Sequence, residues 1–334
     1  MAISKRAIPE LAQRPNSTAR ACSSAASSLV EDFARRRASA SAGPAVLLPF
    51  DPARLDGEFG ELGLRFEPDQ ASLWCQFGHR ERPCFTPKLL HDISRLQAQL
   101  KRNLLPQAFT GKLSIRAVVW HSSMPDVWNL GGDLTLFTKL IRAGAREELR
   151  RYAYACVDTV YQNWTKLDLP FMTIALVQGD ALGGGFEAVL TNDVIIAERQ
   201  SKFGLPEILF NMFPGMGAYS LLCRRLDGVR AEQMIRSGRL YEAQDLKELG
   251  LIDQVVETGE GAQAVREFLD RNRRRQRVLG ALAQVRRRCQ PLTYDELIDV
   301  TDVWVDTAMD LDEADLRRME RLAAAQLRRH ARAA

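Results

Sequence analysis

Histidine is scarce: His79, His91, His121 and His330 are the only four in 334 residues, and none sits at metal-ligand spacing. Six cysteines (Cys22, Cys75, Cys84, Cys156, Cys223, Cys289) are scattered without a C-x-x-C pair. That argues against a zinc ribbon and against a disulfide framework, so no metal and no metal-centred chemistry is expected. No stretch approaches the ~18 apolar residues of a membrane span. The first fifty residues lack the compact apolar block of a secretory signal, which makes the cytoplasm the expected compartment. G-x-S-x-G and G-x-G-x-x-G are both absent, removing the usual signatures of a serine hydrolase and of a dinucleotide fold; no cofactor is expected.

Charge of one sign is also missing from most of the chain. Of 46 basic and 42 acidic residues, seven and three fall in residues 1–45, leaving 39 of each elsewhere. The net charge of +4 therefore belongs to a Ser/Ala/Arg-rich leader with few large apolar groups. Such a composition cannot offset its ordering entropy, so residues 1–45 are expected to be a disordered basic leader. The run Arg271–Arg288 holds eight basic and no acidic residues. With no nucleic-acid-binding motif beside it, a solvent-facing or oligomer-facing role is expected and nucleic acid is not.

From Leu62 the pattern changes. Two alternating stretches around Pro68-Asp69 predict an antiparallel hairpin over 62–77. Thr86-Pro87 reads as an N-cap followed by proline at the first helical position. Leu89, Leu90, Ile93, Leu96 and Leu100 then predict an amphipathic helix of about four turns. Strands are expected at 115–120, 171–177 and 194–197. Residues 134–166 read as one helix with Leu149, Tyr152, Cys156, Val160 and Trp164 on its stripe. Helices are expected at 183–190, 219–226 and 231–237, and almost throughout beyond Thr258. Strand–helix alternation over 62–256 indicates an α/β architecture.

Three stretches carry candidate chemistry: Trp128-Asn129-Leu130-Gly131-Gly132-Asp133-Leu134, Gly179-Asp180-Ala181-Leu182-Gly183-Gly184-Gly185-Phe186-Glu187, and Phe203-Gly204-Leu205-Pro206-Glu207-Ile208 followed by Phe213-Pro214-Gly215-Met216-Gly217. Three glycines at a helix start are a poor choice for stability, each costing about 1 kcal/mol against alanine. They allow close backbone approach, with N–H groups free to meet developing negative charge; tight helix–strand packing is the plainer alternative. Glu187 falls one turn into that helix, and Glu207 follows a proline in an apolar setting. Singly, each is as readily a surface carboxylate. Together, near exposed backbone donors, they make an acid/base pair.

The combination G-D-A-L-G-G-G-F-E with F-G-L-P-E-I twenty residues later resembles the crotonase (enoyl-CoA hydratase/isomerase) superfamily, over roughly residues 70–256. The resemblance implies a crotonase-type spiral of β-β-α units, with a core over 46–258 and a helical region over 259–334 that closes the pocket and makes trimer contacts. It also implies an oxyanion hole from the N–H groups of Gly132 and Gly184, and acid/base roles for Glu187 and Glu207. Where the family commonly reads F-x-A-G-x-D-[LI], this chain reads W-N-L-G-G-D-L. That spelling, with R-P-C-F-T-P at Arg82–Pro87 and F-P-G-M-G-A at Phe213–Ala218, is similar to the diffusible-signal-factor synthases. Their implied activity is dehydration of a 3-hydroxyacyl-ACP to a cis-2-enoyl thioester and hydrolysis to a free fatty acid, a quorum-sensing signal. Glu207 would take the C2 proton and Glu187 protonate the departing hydroxyl, with the two roles exchangeable. Trp128, Leu130, Met216 and Trp304 are expected at the acyl pocket, although core packing accounts equally for Trp304. The expected partners are acyl-ACP or acyl-CoA, a cognate signalling sensor, and further copies of the chain in a homotrimer or dimer of trimers. A conventional hydratase/isomerase and a binding-only partner of a sensor are the alternatives.

Overall fold

The structure, a computed structural model, describes residues 50–51, 55–110 and 113–333; the expected leader over 1–45 lies outside the described residues. The hairpin forms as β1 (Leu62–Glu67) and β2 (Ser72–Phe77), with Leu62 opposite Phe77 and Glu67 opposite Ser72. Thr86 caps α1 (Pro87–Thr110), its hydroxyl accepting the Leu89 N–H at 3.2 Å. The helix outruns the expected four turns because Leu104 extends the buried stripe of Leu89, Leu90, Ile93, Leu96 and Leu100.

The remaining strands come in pairs: β3 (Ala117–Ser122) with β4 (Val127–Asn129), β5 (Met172–Val177) with β6 (Asp180–Leu182), and β7 (Val194–Glu198) with β8 (Lys202–Gly204). The first strand of each pair joins one sheet, ordered β1-β2-β3-β5-β7-β10, where β10 is Gln254–Val256. The second joins another, ordered β4-β6-β8-β9, where β9 is Leu240–Glu242. Every pairing is parallel except β1·β2 and β8·β9. Each unit therefore makes one turn of a spiral, and the chain leaves β4, β6 and β8 side by side. The fold is α/β, a crotonase-type spiral of β-β-α units with a helical C-terminal region. The central parallel strands of the first sheet are buried on both faces, β5 at all six positions and β7 at all five, as parallel strands covered on both sides require.

Residues 134–166 form two helices instead of one: α2 (Leu134–Arg142) and α3 (Arg146–Thr165). Gly144, at φ +62°, breaks the run. Its N–H bonds Ile141 O at 3.0 Å and the next N–H bonds Leu140 O at 2.9 Å, the paired bonds of a glycine-ended helix. The hydrophobic stripe continues across the break, which is why periodicity alone does not reveal it. The helices α4 (Gly184–Leu190), α5 (Ala218–Cys223), α6 (Gly228–Ser237) and α7 (Ala243–Glu248) complete the spiral. From Gly261 the chain is helical: α8 (Gly261–Arg271), α9 (Gln276–Cys289), α10 (Tyr294–Met309) and α11 (Glu313–Ala333). Among the described residues no helix is long and apolar enough to cross a membrane.

After α3 the chain turns through Lys166, Leu167 and Asp168, three consecutive non-glycine residues at positive φ. That conformation disfavours L-residues, and burial of its side chains holds it. Leu167 is buried, and Lys166 is 1% exposed with Nζ 3.0 Å from Asp193 Oδ2. Burial pulls the Lys166 ammonium below the ordinary lysine range, against the opposing pull of Asp193. The Asp193 carboxylate also accepts the Thr173 N–H. Arg286 and Arg287 of the arginine run reach it at 3.4 and 3.9 Å. Two members of that run are thus partly buried counter-ions and not surface charges. Removing one partner of a buried pair costs about 3–5 kcal/mol because the other charge is stranded. Asp193→Ala should lose stability of that order in urea unfolding followed by circular dichroism, and Lys166→Met should lose less than Asp193→Ala.

Candidate active site

The site lies where the second strands end. After β4, the segment Leu130-Gly131-Gly132 turns into α2, which Asp133 caps by accepting the Leu136 N–H at 3.1 Å. The other Asp133 oxygen takes Arg82 Nη2 at 2.5 Å, with Asp133 1% exposed. Arg82 and Phe85 approach from the segment before α1: Phe85 N–H donates to Gly131 O at 2.8 Å and Leu130 N–H to Pro83 O at 2.7 Å. Asn129 Oδ1 accepts the Gly131 N–H at 2.8 Å.

After β6, Gly183 N–H donates to Gly204 O of β8 at 2.8 Å and the chain turns directly into α4. Two glycines show how close the backbones come. A Cβ on Gly131, which has φ +90°, would stand 2.7 Å from Gly184 N; one on Gly185 would stand 2.0 Å from Asn129 O. Neither position admits a side chain. The Gly184 N–H, in the first turn of α4, has no carbonyl four residues back within the helix to accept it. A Cβ on Gly184 would lie 3.5 Å from Gly132 N, so the two amides expected to form an oxyanion hole are neighbours.

Both amides border a cavity of about 260 Å³ whose wall includes Glu187, Glu207, Leu130, Met216 and Trp304. Apart from Glu187, Glu207, the Tyr152 hydroxyl and Cys156, its side chains are apolar. The site residues read from the sequence are therefore brought together, with one exception. Trp128 lines a separate small cavity with Phe77, Ile93, Trp120 and Val160, its ring 5.1 Å from that of Phe77. Alternation along β4 turns Trp128 into the core, and it is Leu130, past the strand's end, that reaches the main cavity. Trp304 meets the cavity from α10 with its ring 5.1 Å from Phe137, and Leu322 and Ala325 meet it from α11. Sequence reasoning misses Phe137, Tyr152, Leu322 and Ala325 as site residues, because their positions arise from tertiary packing and carry no local motif.

The two carboxylates have different surroundings. Glu187 is 1% exposed, and its Oε1 accepts both Met216 N–H and Ala218 N–H at 2.8 Å. Burial raises its pKa to about 7, against the lowering effect of those two bonds. Glu207 sits in a 3₁₀ turn, Pro206–Phe210, with Oε2 buried and without a partner. Burial first, and then the charge of Glu187, push its carboxyl well above the ordinary range. Two close buried carboxylates cannot both ionise easily. The proton that the pair keeps longest rests on Glu207, where burial and the charge of Glu187 outweigh the lowering pull of its own backbone N–H.

A carboxyl whose pKa is higher folded than unfolded binds more protons in the folded state, so it subtracts stability as pH rises from the unfolded value through the folded one. Glu207→Gln should therefore raise the melting temperature at pH 8 and leave it nearly unchanged at pH 4, below the ordinary glutamate value of 4.5. Differential scanning calorimetry across this interval checks the sign.

Comparison with known proteins agrees with this fold. Residues 102–287, more than half the chain, match the enoyl-CoA hydratase/isomerase family. The mitochondrial methylglutaconyl-CoA hydratase of Rattus norvegicus is 30% identical over 178 residues, covering 51% of this chain and 54% of that protein. The chain thus spans about half the length of that curated relative. Among solved structures, an enoyl-CoA hydratase/isomerase from Xanthobacter autotrophicus Py2 superposes with a TM-score of 0.65 at 18% identity, over 80% of this chain and 97% of that one. DspI of Pseudomonas aeruginosa gives 0.59 at 22% identity, over 77% and 98%.

Proposed function

The chain belongs to the enoyl-CoA hydratase/isomerase family, and we propose that it acts on a 3-hydroxyacyl thioester, carried by ACP, as a dehydratase and thioesterase of the diffusible-signal-factor type. The observation that carries this reading is that Gly132 and Gly184, whose backbone segments touch, line one largely apolar cavity together with Glu187 and Glu207. Donors aimed at a developing oxyanion in a water-poor site raise the rate by about 10²–10³-fold each.

Removing the C2 proton converts the thioester to an enolate whose oxygen the two amides bind. The ionised member of the pair takes that proton; the protonated member gives its own to the departing 3-hydroxyl, which leaves as water. Since the proton rests on Glu207, Glu187 is the base and Glu207 the acid, the reverse of the roles expected from sequence. Dehydration then leaves Glu187 protonated and Glu207 ionised. That is the state hydrolysis requires: Glu207 takes a proton from water as it adds to the thioester carbon, the amides bind the tetrahedral oxyanion, and Glu187 protonates the leaving thiolate. Both groups return to their starting states.

A second observation supports the signal-synthase branch. The three stretches spelled in that branch's way all bond to residues of the same site. Phe85 and Arg82 of R-P-C-F-T-P hold Gly131 and Asp133 of W-N-L-G-G-D-L, while Met216 and Ala218 of F-P-G-M-G-A bind Glu187. The reading includes a cytoplasmic enzyme that assembles as a trimer or a dimer of trimers and engages a sensor protein as a partner.

Incubation with 3-hydroxydodecanoyl-ACP should release free cis-2-dodecenoic acid, detected by mass spectrometry. Enoyl-ACP alone, with no free acid above the enzyme-free control, would leave a conventional hydratase. The proton assignment has its own test. In heavy water, deuterium should enter C2 of unreacted 3-hydroxyacyl-ACP with Glu207→Gln but not with Glu187→Gln, and the opposite pattern would restore Glu207 as the base.

A further inference from the structure

Three peptide groups around Gly132 are pinned from different directions. The Gly131 N–H is held by Asn129 Oδ1 at 2.8 Å, and the Gly131 carbonyl by the Phe85 N–H at 2.8 Å. The next N–H, that of Asp133, donates to the Tyr152 hydroxyl at 3.0 Å, and that hydroxyl donates onward to Phe85 O. Tyr152 belongs to α3, and its ring packs edge-on against Phe137 at 5.3 Å. Phe137 in turn closes over Gly132, where a Cβ would stand 2.5 Å from its ring.

We propose that Tyr152 and Asn129 are positioning residues that aim the Gly132 N–H at the oxyanion; this rests on the thioester reading above. A two-glycine segment has the softest backbone available, and rotation of the Gly131–Gly132 peptide would swing its N–H out of the cavity. Asn129 fixes the peptide before it and Tyr152 the peptide after it, while Phe85 anchors the one between. The tyrosine does so through its hydroxyl alone, which accepts from one strand-like segment and donates to the other. Phenylalanine keeps the ring and its packing but breaks both bonds. Asn129 is fully buried with Nδ2 unpartnered. A buried unpaired amide is destabilising, and the acceptor it supplies to Gly131 accounts for its presence. Burial lifts the Tyr152 phenol well above its ordinary pKa, so the hydroxyl serves as a neutral bridge and not as a proton source.

Tyr152→Phe and Asn129→Ala should each lower kcat on 3-hydroxydodecanoyl-ACP by about 10- to 100-fold, less than full loss of an oxyanion donor, while KM changes less than about threefold, since substrate binding rests mainly on apolar contacts. The direct readout is infrared difference spectroscopy of a dethia pantetheine analogue, whose ketone replaces the thioester and bears ¹³C. Its carbonyl band should shift to lower frequency on the wild-type protein and on Glu187→Gln. The shift should shrink on Tyr152→Phe and Asn129→Ala. Tyr154→Phe, which breaks a hydroxyl bond to Asp302 of α10 and none to the Gly131–Gly132 segment, should match wild type in rate and in band position. Full band shift and full kcat in either positioning variant that folds would overturn the proposal. No band shift on the wild-type protein would instead remove the thioester reading beneath it.

Discussion

The site depends on one contact: the Gly131–Gly132 backbone lies directly against the Leu182–Gly185 backbone with no side chain between them. Only that approach makes neighbours of amides 52 positions apart, in residues that line one cavity. The glycines that permit it weaken both segments, since each loses more freedom on folding than any other residue. The surrounding structure supplies the stiffness. The salt bridge from Arg82 to the capping Asp133, the Phe85 and Asn129 bonds, and the Gly183 bond to β8 all fix backbone orientation. Preorganisation of that kind is what makes backbone amides effective toward an oxyanion, because no reorientation is left for the moment of reaction.

The spiral explains why one point collects residues from three parts of the chain. β4, β6 and β8 run parallel in one sheet and end at the same edge. The residues just past each strand therefore arrive at that edge: Gly132 after β4, Gly184 and Glu187 after β6, Glu207 after β8. A functional group needs only to lie a few residues past its strand, and the fold brings it to the others. The apolar remainder of the wall is assembled differently, from α2, α3 and the C-terminal helices, with Phe137, Trp304, Leu322 and Ala325. The strand ends thus carry the polar groups and the helices most of the cavity's shape, with Phe137 and Tyr152 joining the two layers at Gly132 and Asp133.

That division sets what is legible in the sequence. The glycines and both glutamates stand out because close backbone approach and proton transfer are each served by very few residue types, here clustered beside strand ends. The β1–β2 hairpin and the α1 stripe are legible as periodicity. Trp128 is not, because a three-residue strand is too short for alternation to say which face is the cavity's. The break at Gly144 is hidden by a stripe that runs on across it. Arg286 and Arg287 look like surface charge, since nothing near them in the chain announces Asp193, some ninety positions away. Tyr152 looks like one more core position, as its ring indeed is; only the partners of its hydroxyl distinguish it, and these come from two other segments.

Burial links the carboxylates to the amides. An apolar cavity raises both glutamate pKa values, and the same scarcity of water strengthens hydrogen bonds from Gly132 and Gly184 to a developing charge. The two effects cannot be tuned apart: a wetter site would let both carboxylates ionise and would also weaken the oxyanion hole. A carboxylate pair that retains a proton therefore goes with an effective hole, and on the proposed mechanism it suits a two-step reaction better than a one-step one. A lone dehydration leaves the proton on the wrong carboxylate, and bulk solvent must exchange it before the next turnover. Hydrolysis at the same thioester carbon moves it back without leaving the cavity. On the proposed mechanism, coupling the two steps removes the need for that exchange.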